Sequence, residues 1–128
     1  MKKLALTLML LLLATGVVFA KDFEVTKTAG DYTVQIKMDK NPPVVGNNRM
    51  DIGVKTKTAD VSDATVIVEY GMAAMPGMPA MTYKANAEMK NKGYRAILNL
   101  SMSGSWSINV KITRAGKTQT VKLNVDVQ

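Results

Sequence analysis

Apolar and polar residues alternate with a period of two along most of the chain beyond residue 22. The pattern is clearest in Tyr32, Val34, Ile36 and Met38, in Met50, Ile52 and Val54, and in Tyr94, Ala96, Leu98 and Leu100. It continues through Trp106, Ile108, Val110 and Ile112, and through Val121, Leu123, Val125 and Val127. Period-two alternation puts every second side chain on one face, so these residues are expected to face a core, while Lys37, Lys55, Lys57, Arg95, Lys111 and Lys122 face water. Strands are predicted near 23–28, 32–38, 48–57, 63–71, 81–89, 93–101, 105–114 and 117–127. Gly and polar clusters separate them, as in Ala29-Gly30-Asp31, Asn91-Lys92-Gly93 and Ala115-Gly116. Short strands between frequent turns predict an all-β fold, an antiparallel sandwich of seven or eight strands.

If each connection reverses the chain, the loops fall alternately at two ends of such a sandwich. Residues 39–47, 72–80 and 102–104 gather at one end, and 29–31, 58–62, 90–92 and 115–116 at the other. Met38, Met50, Met72, Met75, Met78, Met81 and Met102 then share the first end, and Met89 alone lies at the second.

The N-terminus follows a different pattern. Lys2 and Lys3 precede an apolar run from Leu4 to Phe19, and Val18-Phe19-Ala20 supplies small residues three and one before a cut. This is the form of a secretory signal peptide cleaved after Ala20. The expected organisation is a leader over 1–20 and one domain over 21–128, placed in the periplasm or otherwise exported. Membrane association is expected only through a retained leader. Without Lys2 and Lys3 the seventeen basic residues fall to fifteen against ten acidic, a net charge of +5. The basic residues are spread over most strands, which suits solvated sheet faces and gives no nucleic-acid stripe.

Composition narrows the chemistry. The chain has no Cys and no His, so thiolate nucleophiles, disulfides and imidazole bases and ligands are all absent. Ser101, Ser103 and Ser105 have no His to activate them, no carboxylate pair stands out, and no glycine-rich loop follows a strand to hold phosphate. A binding protein is expected, without an enzyme activity or an organic cofactor. The acidic loop Asp60 to Asp63 lacks the ligand number of a calcium loop.

Methionine is the abundant exception. The stretch Gly71-Met72-Ala73-Ala74-Met75-Pro76-Gly77-Met78-Pro79-Ala80-Met81 spaces four thioethers three residues apart among turn formers. Proline disfavours helix at Met75 and Met78, so the segment is a loop. Met75-Pro76-Gly77-Met78 has the Pro-Gly centre of a type II turn, and Met78-Pro79-Ala80-Met81 suits a type I turn. Two consecutive turns would converge the sulfurs of Met75, Met78 and Met81, with Met102 the contribution expected from outside the loop and Met72 a further one. Thioethers are soft ligands suited to Cu(I), with Ag(I) as its surrogate. The competing reading has the same side chains plugging an irregular core end or docking on a protein without metal. Trp106 is expected in the core; a second reading sets its indole face against a bound cation.

Five short motifs together resemble the YtkA-like and FixH-like domain family. They are Asn41-Pro42-Pro43 with Gly46-Asn47-Asn48, Asp63-Ala64-Thr65-Val66, Met75-Pro76-Gly77-Met78, Gly93-Tyr94-Arg95-Ala96 and Met102-Ser103-Gly104-Ser105-Trp106. The resemblance spans about residues 30 to 127. It implies an immunoglobulin-like sandwich outside the cytoplasmic membrane and an association with copper handling, as an accessory factor for copper oxidases or a module of heavy-metal efflux adaptors. An exported or membrane-bound metal-handling protein is the implied partner. By position Met75, Met78, Met102 and Trp106 match the family pattern, whereas Met72 and Met81 are additions. FixH-like members also carry a membrane-spanning segment, which this chain has only if its leader is retained.

Overall fold

Alternating burial builds two antiparallel sheets face to face. The computed structural model describes residues 23–128; the expected leader and its cleavage site lie outside the described residues. Nine strands occur among them: β1 (Phe23–Ala29), β2 (Tyr32–Met38), β3 (Gly46–Lys55), β4 (Thr65–Met72), β5 (Met81–Asn86), β6 (Glu88–Lys90), β7 (Gly93–Leu100), β8 (Gly104–Arg114) and β9 (Lys117–Val127). One sheet has the order β1-β2-β3-β7-β6 and the other β5-β4-β8-β9. Every pairing is antiparallel. The result is an immunoglobulin-like β-sandwich.

Val34, Ile36, Ile52, Val54, Leu98, Leu100, Trp106, Ile108, Val110 and Ile112 are all buried between the sheets, as alternation requires. Each such aliphatic side chain contributes roughly 1.5–3 kcal/mol of burial. Tyr32 differs from expectation, being only partly buried at the margin of this core.

Most strand ends fall within two residues of the sequence expectation, and two departures have a physical reason. The expected strand 81–89 is two strands in two sheets. Ala87 still donates its N–H to the Val66 carbonyl (2.9 Å), and the next three residues pair instead with β7. Ala85 and Ala87 pack against the core there, and their small side chains let the chain pass from one sheet to the other. This is the corner device of packed sheets.

β3 begins at Gly46 rather than residue 48, which moves Asn48 from the strand's first position into its interior, where it is fully buried. Its amide is satisfied: Oδ1 accepts from the Val44 N–H (3.1 Å), and Nδ2 donates to the carbonyls of Val44 (2.7 Å) and Gly46 (3.0 Å). A buried amide so paired costs little, whereas an unpaired one costs about 1–3 kcal/mol. The same loop meets the end of the chain, with Gln128 N–H donating to the Pro43 carbonyl (3.0 Å) and Val45 N–H to that of Gln128 (3.3 Å).

At the opposite end, Tyr94 does comparable work. Its hydroxyl donates to the Val61 carbonyl (2.9 Å) and accepts from the Ala64 N–H (3.1 Å), tying the β3–β4 connection to β7. A tyrosine near a strand start that bonds back to an upstream corner is a feature of immunoglobulin-like sandwiches.

Candidate metal site at the methionine end

The registers bring the end of β2, the start of β3, the β4–β5 connection and the β7–β8 connection to one end of the sandwich. Met89, on β6, lies at the other end beside Tyr94. Met50 is a correction: it sits in the middle of β3, opposite Met38 and Ala96, and is wholly buried. Met38 and Met72 are buried as well. These three fill the core, which is the packing role weighed for them.

The remaining four are accessible to different degrees. Met75 and Met78 are the most exposed, at 42% and 36%, while Met81 and Met102 are half-buried against the core. The first expected turn forms. Met75 and Met78 exchange both backbone hydrogen bonds (3.0 and 2.8 Å), and Gly77 has φ +80°, the type II value. The second expected turn does not form: Pro79 and Ala80 have no turn conformation and lead directly into β5. Pro76-Gly77 already reverses the chain, and the returning arm has to align with β4.

Met72, Met75, Met78 and Met81 are therefore arranged as two cross-strand pairs on one hairpin. Met72 faces Met81 at its base and Met75 faces Met78 at its tip. Directly opposed residues on an antiparallel pair hold their Cβ atoms about 4.5–5.5 Å apart, close enough for two thioethers to share an ion. No charged residue occurs between Gly71 and Thr82, so the tip offers neutral donors only.

The base of the hairpin is fixed by packing. A Cβ at Gly71 would stand 2.0 Å from the Met81 carbonyl oxygen, so only glycine admits this approach of β5. The Met72 methyl reaches Gly104, where a Cβ would lie 2.8 Å from it. Gly104 adopts φ +127°, a conformation open to glycine. Two residues before it, the Met102 carbonyl accepts the Trp106 indole N–H (2.9 Å). This bond shapes the Met102-Ser103-Gly104-Ser105-Trp106 motif into a bend over the indole.

Trp106 is fully buried, the core role. Tyr70 and Tyr83 lie beside it, with ring centroids at 6.0 and 6.1 Å, and the two tyrosines stack at 5.5 Å. With the indole fully enclosed, a cation could touch its face only by displacing a packed neighbour. The Tyr83 hydroxyl in turn points to the Met81 sulfur (3.6 Å). Beside the base runs a groove of about 240 Å³ whose lining includes Glu69, Met72, Met81, Ser107 and Asn109. Lys111 hydrogen-bonds Glu69 and, with Lys84 adding its charge, holds its carboxyl below the usual glutamate range against a smaller opposing effect of desolvation.

Gly71, Tyr83 and Asn48 are the residues that sequence reasoning passed over. The signal for the paired arrangement is in the chain itself: Met72, Met75, Met78 and Met81 are placed symmetrically about Pro76-Gly77, the symmetry of a hairpin.

The family model described as YtkA-like matches residues 26–111, more than half of the chain. The chain belongs to the YtkA-like family. The match includes both methionine pairs, Met102 and Trp106, and ends before β9, short of the residue 127 reached by the motif resemblance. It does not extend to the FixH-like half of that resemblance. No curated protein and no solved structure matches the chain.

Proposed function

We propose that this YtkA-like domain is an exported binding protein, rather than an enzyme, that takes up Cu(I) or Ag(I) at the tip of its methionine hairpin. Met75 and Met78 supply the first two thioethers and Met81 the third. Met102 is the donor assigned from outside the hairpin, and Met72 supports the base by packing. The ion is buffered there or passed to an exported or membrane-bound metal-handling protein.

The observation that carries this reading is the closed pairing of Met75 with Met78 while both thioethers stay exposed. Core packing does not account for apolar side chains held in register at a solvent tip. Neutral sulfur donors match soft monovalent ions and are poor ligands for Cu(II), which prefers nitrogen and oxygen in tetragonal geometry. An exposed site also suits exchange with a partner. The copper handling that the resemblance implies points the same way.

Calorimetric titration of the mature domain with Ag(I) tests the assignment. Replacing Met75, Met78 and Met81 together by Leu should weaken binding by at least about tenfold, or roughly 1.4 kcal/mol. Unchanged affinity would remove these residues from the site. The exposed apolar tip also favours a second reading, docking on a protein partner without metal. Leu preserves apolar bulk, so that reading predicts little effect of the triple replacement on partner binding and no uptake of silver.

A further inference from the structure

We propose that Met75 and Met78 form a hydroperoxide-sensitive pair, and that their oxidation to methionine sulfoxide switches off soft-metal uptake at the hairpin tip. The metal half rests on the function proposed above; the order of oxidation does not.

The methionines fall into a graded series. Met75, Met78 and Met89 are exposed at 42%, 36% and 48%. Met81 is half-buried, and its sulfur already accepts the Tyr83 hydroxyl; Met102 is half-buried against the core. Met38, Met50 and Met72 are enclosed in the core. A peroxide has to reach the sulfur, so attack follows this order.

In the reaction, the thioether sulfur attacks one oxygen of hydrogen peroxide. An S–O bond forms and the O–O bond breaks, and the departing oxygen leaves as water after taking the proton of the transferred oxygen. The sulfur is oxidised by two electrons and the peroxide is reduced by two. The product presents a hard oxygen in place of a soft thioether, a poor match for Cu(I) or Ag(I). Backbone bonds and the Pro76-Gly77 turn close the tip, so oxidation there leaves the hairpin standing. Methionine sulfoxide reductases reverse the change.

Met89 provides an internal control, since it is as exposed as the tip pair but lies at the far end of the sandwich. The purified domain is treated with graded hydrogen peroxide. Peptide mass spectrometry then records which methionines have gained an oxygen, and silver binding and far-UV circular dichroism are measured on the same samples. Met75, Met78 and Met89 should oxidise several-fold faster than Met81 and Met102, and well before Met38, Met50 and Met72. Silver binding should fall in step with the tip pair at unchanged secondary structure and return after enzymatic reduction. A Met89→Leu variant should lose silver binding at the same peroxide dose as the parent. Equal oxidation of core and tip methionines would overturn the sensitive pair, and full silver binding after oxidation of Met75 and Met78 would overturn the switch. Failure of the untreated domain to bind silver would remove the proposed function and the switch together, while the oxidation order would still decide whether the tip pair is the sensitive one.

Discussion

Gly71 and Met81 approach so closely across the β4–β5 pair that a methyl group on Gly71 would overlap the Met81 carbonyl oxygen. The obstacle is backbone, which cannot rotate out of the way as a side chain can. Gly71→Ala should therefore force β5 outward and destabilise the domain by about 1–3 kcal/mol, the usual cost of overpacking. Urea denaturation measures the loss. A second readout is the register at Met72 and Met81, whose amide chemical shifts should move more than those around Tyr94.

The Tyr94 hydroxyl offers a test of the other end. Tyr94→Phe keeps the ring in the core but leaves the Val61 carbonyl and Ala64 N–H without their partner. The expected loss is about 1–3 kcal/mol, with the urea slope unchanged because the folded surface stays the same. Silver binding should not change.

Glu69 predicts an acid limb of stability. Its folded pKa is depressed, chiefly by the hydrogen bond from Lys111. Its stabilisation is therefore complete above the ordinary glutamate value of 4.5 and is lost as pH falls below that value through the folded one. Thermal melts over this range should fall more steeply with acid in the parent than in Glu69→Gln, and the two curves should converge at the lowest pH.

Silver affinity should be nearly flat between about pH 5 and 8, because thioethers do not titrate and the chain has no His or Cys to compete for protons. A steep rise with pH would place carboxylates or amines in the site instead.

Much of the fold was legible in the chain because alternation fixes which side chains face inward. Trp106, Ile108, Val110 and Ile112 are buried as the period requires. Asn48 was hidden because a buried amide breaks the apolar pattern and is made acceptable only by the way the preceding residues fold back to offer the backbone groups of Val44 and Gly46. The passage of residues 81–89 between sheets was hidden because Ala85 and Ala87 mark it by size alone. At the candidate site, the Pro-Gly turn could be read directly. The pairing of Met72 with Met81 could not be obtained from turn chemistry taken two residues at a time, because register belongs to the whole hairpin. For the same reason the expected second turn at Pro79-Ala80 gives way to an extended arm.

The most direct measurement is a titration of the mature domain with Ag(I), or with Cu(I) under reducing conditions, followed on the methionine methyl resonances. The methyls of Met75 and Met78 should shift first and saturate together, with Met81 following, while Met38, Met50 and Met89 stay in place. Methyl shifts confined to methionines away from the hairpin, or no shift at all, would contradict a soft-metal site at its tip.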